Sequence, residues 1–484
     1  MRRAVIVIGL AALGGCAIGP RYTTPTVAPA THAVGTAPVP EQTLFDSLAR
    51  ASALPPATQA SATASAGGDA FAWLDVLKDP ALVSLVRAAL RDNRNLKTVI
   101  ARIDEYEGDR DNARSALFPE AGLNGTGSTN RVVFGSSAPI NYRALTAVAE
   151  AQWEVDFFGR LRRGLSAAEA DIDAVRADER AGVLMLVADV SDGYLALLEA
   201  REDLDVSRRT LASRQSTLGL ARQRYAQGLI SELDVRQFEA DVAAASVSVA
   251  QYTRETAQDE HSLSLLVGQA PGPLVTGASL DSSVAAVSVP DSIPSSVLLR
   301  RPDVMSEERM LAAATDRIGV AEGELVPRVT ISGQYGYQSP ALSTLFGSNT
   351  DIYTLQGGIL IPLSLFGGGG HADVKIARAR TEQARAQYEQ TVLTAMSEAA
   401  DALVGVRTNR EQLAAQTAEA AALRDAYALA ERRYEGGIAS YLEVLDAQRS
   451  LFAAELALNG TRRQYLEATV QLYKALGGRW NDSP

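Results

Sequence analysis

The sequence predicts a mixed α/β membrane protein built by duplication. Each half carries a strand hairpin followed by a long coiled helical hairpin. Three observations predict this. Matching segments recur at an almost constant spacing near 209 residues: Tyr225-Ala-Gln-Gly228 with Tyr434-Glu-Gly-Gly437, and Val267-Gly268 with Leu476-Gly477. Runs with period-two alternation are long enough to cross a bilayer. Apolar positions then recur every seven residues over long proline-free stretches, as in helices coiled on neighbours.

Composition narrows the function before any motif is read. The chain has 484 residues, formal charge −11, 46% hydrophobic residues and 6% aromatics. Net acidity and the absence of a basic stripe argue against nucleic acid. One cysteine rules out an intramolecular disulfide. The three histidines (His32, His261, His371) lie far apart and leave little for a histidine metal site. No cofactor and no enzyme activity are expected, because no nucleophile–base constellation is present. The glycine run Gly367–Gly370 lacks the Lys-Ser/Thr of a phosphate loop and is followed by His371.

Residues 1–15 read as a signal peptide. Arg2-Arg3 is a basic head, and Ala4 to Leu13 is an apolar run too short to span a bilayer. It ends in Leu13-Gly14-Gly15-Cys16, which looks like a bacterial lipobox and carries the only cysteine of the chain. That resemblance implies a diacylglycerol and an N-acyl lipid on Cys16. Ala17 follows, not the Asp of inner-membrane retention, which implies an outer-membrane destination. No later stretch has 18 consecutive apolar residues. Residues 16–70, rich in Ala, Thr, Pro and Ser, read as a lipidated tether lying along the body or moving freely, with order beginning near Phe71-Ala-Trp73.

The first repeat is expected over 71–270 and the second over 295–480, with a linker at 271–294 and a tail at 481–484. Each opens with a helix, about 80–117 and 302–325, ended by Pro119 or Pro327. Strands follow. Leu145, Ala147, Ala149, Ala151, Trp153, Val155 and Phe157 face one way and Thr146, Val148, Glu150, Gln152, Glu154 and Asp156 the other. Val329 to Tyr337 and Tyr353 to Leu363 behave likewise, and Ala121 to Thr129 is a weaker, Gly-rich run. Asn130 to Arg143 and Gln338 to Asp351 are the expected loops. Trp153, Tyr335, Tyr337 and Tyr353 suit an interfacial belt or packing equally.

Helices then dominate. Val183, Val190, Leu197, Leu204, Leu211, Leu218 and Tyr225 recur every seven residues, and Val392, Ala399, Val406, Leu413, Ala420, Tyr427 and Tyr434 repeat the series. The proline-free stretch from about 160 to 226 makes roughly 100 Å of helix at 1.5 Å per residue. Gly228 and Gly437 are expected to break the rods, and Ser231 and Ser440 to cap the returning helices. Four strands cannot close a membrane barrel, and open edges are not tolerated in lipid, so the chain must oligomerise. Two copies give eight strands and three give twelve.

The leader, the Leu117-Phe-Pro119 and Leu325-Val-Pro327 breaks, Trp153-Glu-Val-Asp-Phe-Phe-Gly159 and Arg433-Tyr434-Glu-Gly-Gly437-Ile-Ala-Ser440-Tyr-Leu442-Glu-Val-Leu-Asp446-Ala-Gln-Arg449 resemble TolC/OprM-type outer-membrane factors, in their lipoprotein branch. The resemblance implies a homotrimer whose twelve-stranded outer-membrane barrel sits on a periplasmic α-helical barrel. It implies a periplasmic adaptor and an inner-membrane resistance–nodulation–division transporter as partners, and export of small molecules. Leu442, Asp446 and Arg449 share one helix face just after the turn. The resemblance makes that face a constriction, in which the acid and the arginine tie neighbouring helices. Leu233, Gln237 and Ala240 hold the same places in the first repeat. Asp234 and Glu443 add negative potential that favours cations. Gly228, Ser231, Gly437 and Ser440 form the turns that the family offers to the adaptor. A duct for type I protein secretion and a pore-less coiled-coil lipoprotein are the competing readings.

Overall fold

The computed structural model describes residues 17–25, 79–133, 138–277, 279–284, 295–362 and 369–478. The signal peptide, Cys16, Phe71-Ala-Trp73, most of the tether and linker, Gly367–Gly368 and the tail lie outside them. The described helices and strands are α1 (Pro80–Asp92), α2 (Arg94–Ser115), β1 (Glu120–Val132), β2 (Ile140–Val155), α3 (Arg160–Ala226), α4 (Glu232–Val267), α5 (Leu280–Val284), α6 (Pro302–Gly323), β3 (Arg328–Ser339), β4 (Asp351–Leu360), α7 (Gly369–Glu435) and α8 (Tyr441–Ala475). Single 3₁₀ turns at Ser295–Arg300 and Leu342–Thr344 complete the order. Both α3 and α7 are 67 residues long, and their ends correspond at the spacing seen in the sequence.

The chain divides into two compact units. The first holds residues 1–26, 101–177 and 305–390, and with them the sheet. Its order is β1-β2-β3-β4, antiparallel throughout. Directly paired residues share a face. One row runs Leu123, Ala149, Tyr335, Tyr353 and the next Ala121, Ala151, Gly333, Leu355. The opposite face carries Glu120 beside Gln152, Ser332 and Gln356, then Glu150 beside Gln334 and Thr354. One face is therefore apolar, with Leu123, Tyr353 and Leu355 largely exposed, and the other is polar and acidic. Strands of 10 to 16 residues suffice to cross a bilayer when tilted. β1 and β4 each have one side without a strand partner among the described residues. The hairpin loop expected at 130–143 is shorter: β1 continues to Val132 and β2 begins at Ile140, because Asn130, Arg131 and Val132 stay in register with Tyr142, Asn141 and Ile140. Trp153 is half-buried and donates its indole N–H to Leu117 O at 3.0 Å. Tyr337 packs edge-on against Phe346, whereas Tyr335 and Tyr353 are exposed.

Arg160 closes the strand-to-helix junction, donating to Glu154 at 2.8 Å and to Glu324 at 3.0 Å. The start of the expected tether, residues 17–25, is seated in this unit. Ile18 N–H donates to Phe158 O at 3.1 Å, and Tyr22 and Thr24 both donate to Glu308. A Cβ on Gly19 would lie 2.5 Å from Gly319 Cα, and Gly19 has φ 108°, so only glycine fits there.

The second unit holds residues 27–100, 178–304 and 391–484. The opening helix expected over 80–117 is two helices. Asn93 interrupts it: its Oδ1 accepts from Leu96 N–H at 2.9 Å and its Nδ2 donates to Leu266 O at 2.8 Å. The side chain competes with the helical ladder and wins. Leu82, Val86, Val187, Val190, Leu197, Leu263, Val267, Leu280 and Leu466 form the core. This accounts for much of the apolar stretch of α3, which by length and composition would suit a membrane span: half of it is buried, with Leu186, Val187, Val190 and Leu197 in the core. In the seven-residue series Val190, Leu197, Leu204 and Leu218 are buried, as are Val392, Ala399, Val406, Leu413, Ala420 and Tyr434. Tyr225 departs from its series and is exposed, since it borders the terminal turn.

Candidate functional site: the helical tips

The two helical hairpins of the second unit turn in the same way. At the end of α3, Gly228 has φ 72°, its N–H donates to Tyr225 O, and Leu229 N–H donates to Arg224 O. At the end of α7, Gly437 has φ 74°, with the same bonds from Gly437 to Tyr434 and from Ile438 to Arg433. This is the Schellman pattern, which satisfies the last carbonyls of a helix and needs a left-handed residue. A Cβ at either glycine would meet open space, so the backbone angle, not crowding, selects glycine. Leu229 and Ile438 project from the turns largely exposed, followed by Leu233 and Leu442.

The returning helices start differently. Ser231 caps α4 in a full capping box: Asp234 N–H donates to Ser231 Oγ, and Asp234 Oδ2 accepts from Ser231 N–H at 2.9 Å. The Ser231 hydroxyl, which donates to Asp234 Oδ2 at 2.7 Å, and the Ser231 N–H hold the Asp234 carboxyl below its ordinary pKa. Ser440, expected to cap α8, makes no side-chain cap. The residue that would complete a box there, Glu443, faces Arg433 instead, at 3.8 Å.

Behind the turns, one buried carboxylate ties the repeats together. Asp241 on α4 is 5% exposed, and its Oδ1 accepts from Arg449 of α8 at 2.7 Å. Its Oδ2 accepts from the Tyr441 hydroxyl at 3.2 Å. Its main-chain carbonyl accepts from Arg214 of α3 at 3.0 Å. Arg214 Nε also donates to Gln448 Oε1 at 3.2 Å, and Gln448 Nε2 donates to Ser213 Oγ at 3.2 Å. Ser213 in turn meets the Tyr427 hydroxyl of α7 at 3.0 Å. The network thus touches all four helices. Burial lowers the Arg214 pKa, and Asp241 opposes that shift. Apolar packing surrounds the network: Leu218, Ala221, Val235, Phe238, Tyr434 and Val444 form one cluster, with Arg224 stacked over the Tyr434 ring at 4.5 Å.

The sequence-selected residues fall around this latch in two groups. Leu442, Asp446 and Arg449 lie on one exposed face of α8, and Leu233 and Gln237 are exposed on α4. Arg449 reaches across to Asp241 and not to Asp446, whose carboxylate makes no ion pair among the described residues. Asp241, Tyr441, Arg214 and Gln448 were not singled out from the sequence. A signal existed for one of them. Asp241 occupies an inward position in the series Val235, Phe238, Asp241, Ala245, where an unpaired acid is costly and implies a partner. Among the described residues no cluster of side chains is arranged to hold a metal.

The chain is similar to known proteins over nearly its whole length. A family model described as outer membrane efflux protein matches residues 85–269 and 293–478. The chain is similar to the toluene efflux pump outer membrane protein TtgC of Pseudomonas putida, with 34% identity covering 97% of this chain and 93% of that one. It is similar to the cation efflux system protein CusC of Escherichia coli O6:H1, with 29% identity covering 97% of each. A solved structure of CusC superposes with a TM-score of 0.79 at 27% identity, covering 96% of this chain and 100% of that one. The open state of the MtrE outer membrane channel of Neisseria gonorrhoeae gives 0.78 at 26% identity, covering 96% and 98%.

Proposed function

This chain belongs to the outer membrane efflux protein family, and we propose that three copies of it form one exit duct from the periplasm. The observation that carries the reading is the sheet. It has one apolar face, one acidic face and two edges without a strand partner among the described residues. Unpaired backbone groups at an edge cannot remain in a bilayer. β1 of one copy pairs with β4 of the next, and three copies give twelve strands, with Glu120 and Glu150 facing the lumen.

In this reading the helices continue the duct through the periplasm and the tips close it. Leu233, Gln237, Leu442, Asp446 and Arg449 line the aperture. The Arg449–Asp241 pair and the Tyr441 hydroxyl hold α8 against α4 and keep the opening narrow. Opening separates them, which exposes Asp241 to water and lowers the cost of its charge. The turns at Gly228, Ser231, Gly437 and Ser440, with exposed Leu229 and Ile438, receive a periplasmic adaptor, which links the duct to an inner-membrane resistance–nodulation–division transporter. A diacylglycerol and an N-acyl chain on Cys16 anchor the protein to the outer membrane.

Purified protein in planar lipid bilayers tests the duct. Discrete conductance steps are the expected result. Absence of current from folded, bilayer-inserted trimers would leave only a structural lipoprotein. Cysteines placed at Leu229 or Ile438 are expected to cross-link to the adaptor in cells, and failure at both sites would remove the turns from that contact.

A further inference from the structure

Beside the apolar core that α3 and α8 share, a row of polar contacts runs along the same pair of helices. Gln471 Nε2 donates to Asp192 Oδ2 at 2.8 Å. Arg463 pairs with Glu199. Asn459 Nδ2 donates to Asp203 Oδ1 at 2.8 Å. As the α3 numbers rise the α8 numbers fall, so the helices run antiparallel, and the same seam ends at Arg214 and Gln448.

Two of the three carboxylates on this seam meet no cation there. Glu199 has Arg463, but Asp192 and Asp203 meet neutral amides. Asp203 is 6% exposed. Asp192 Oδ1 is enclosed with no hydrogen-bond partner among the described residues. An ionised carboxylate so placed loses hydration and gains no ion pair in return.

The surrounding charges make this worse. Around Asp192, α3 contributes Asp189, and α8 contributes Glu467 and one opposing cation, Lys474. Around Asp203, α3 contributes Glu199 and Glu202, and α4 contributes Glu255 together with the Tyr252 phenol. The nearby α8 cations are committed elsewhere: Arg462 to Asp281 on α5, and Arg463 to Glu199 and Glu467.

We infer that the α3–α8 seam is a proton-operated joint between the repeats, which Asp192 and Asp203 tighten when protonated and loosen when ionised. A protonated carboxyl keeps an acceptor oxygen for the amide and adds an O–H donor, so the bonds survive while the buried charges vanish. Burial is the main cause that pushes both groups up to about 7, and the acids nearby add to it.

The sign follows from linkage. With the seam parted, both groups return to ordinary carboxylate values near 4. Closing therefore takes up protons, and the closed seam gains stability as pH falls from about 7 toward about 4. Over that window each carboxyl changes the closed-to-open ratio by up to about tenfold per pH unit. Above about 7 the dependence is flat. The inference does not require the tips to be a gate.

Hydrogen exchange of the full-length protein in detergent, at about pH 5.5 and about pH 8 and corrected for intrinsic rates, tests it. In the wild type, peptides covering Asp192 to Asp203 and Asn459 to Gln471 are expected to lose about tenfold or more protection at the higher pH. Asp192→Asn with Asp203→Asn is expected to keep the low-pH protection at both. Should that pair fail to fold, Asn459→Asp sets a second carboxylate against Asp203 and is expected to widen the wild-type loss. No pH effect in the wild type, an equal loss in the double variant, or no widening with Asn459→Asp would overturn the joint.

Discussion

At the scale of single residues, Asp241 is where the polar contacts behind the tip turns converge. It is the shared acceptor for Arg449, Tyr441 and Arg214. Asp241→Ala removes the carboxylate that Arg449 and Tyr441 meet but keeps the main-chain carbonyl that Arg214 meets, and leaving those partners unmet costs about 1–3 kcal/mol. Arg449 is more than half exposed, so its own truncation is expected to cost less, about 1 kcal/mol. The expected outcome is a clear rise in single-channel conductance or open time for Asp241→Ala and a smaller rise for Arg449→Ala. Equal, unchanged traces from folded channels would show that the pair does not hold the aperture. Asp446→Asn is expected to leave closure intact and to weaken cation preference, read from reversal potentials in a salt gradient.

Elements show how two copies of one plan diverge. The turns at Gly228 and Gly437 share one bonding pattern, but the helix starts after them do not. Ser231→Ala removes a working cap and is expected to destabilise the first turn of α4 by about 0.5–2 kcal/mol, seen as faster hydrogen exchange at the tip. Ser440→Ala is expected to change exchange little, because Ser440 makes no cap. Equal effects at both sites would contradict the asymmetry. The rods were legible in the sequence because a seven-residue repeat over 67 residues leaves no other solution, and the strands were legible because alternation has a period no helix shares. The break at Asn93 was not, since it depends on a distant acceptor, Leu266 O. The latch was only half legible. Arg449 stood out on an exposed face, but its partner lies 208 residues away in the other repeat, and spacing along one helix says nothing of such a contact.

For the molecule as a whole, the sheet sets the terms. Residues from both repeats build it, with β2 paired to β3 across the duplication, so neither repeat can supply it alone. Its acidic face predicts a mildly cation-preferring lumen. Glu120→Gln with Glu150→Gln is expected to reduce that preference in the same reversal-potential measurement, and no change would place these side chains off the conduction path. The seating of residues 17–25 against Phe158 and Glu308 ties the chain just after Cys16 to the unit that carries the sheet.

The most direct measurement is native mass spectrometry of the full-length protein released from detergent micelles. A sheet with two open edges in lipid predicts a species of three copies that persists until the detergent is stripped harshly. A membrane-inserted, folded single chain as the dominant species would contradict the account, because its edges would then be sealed without help from other copies.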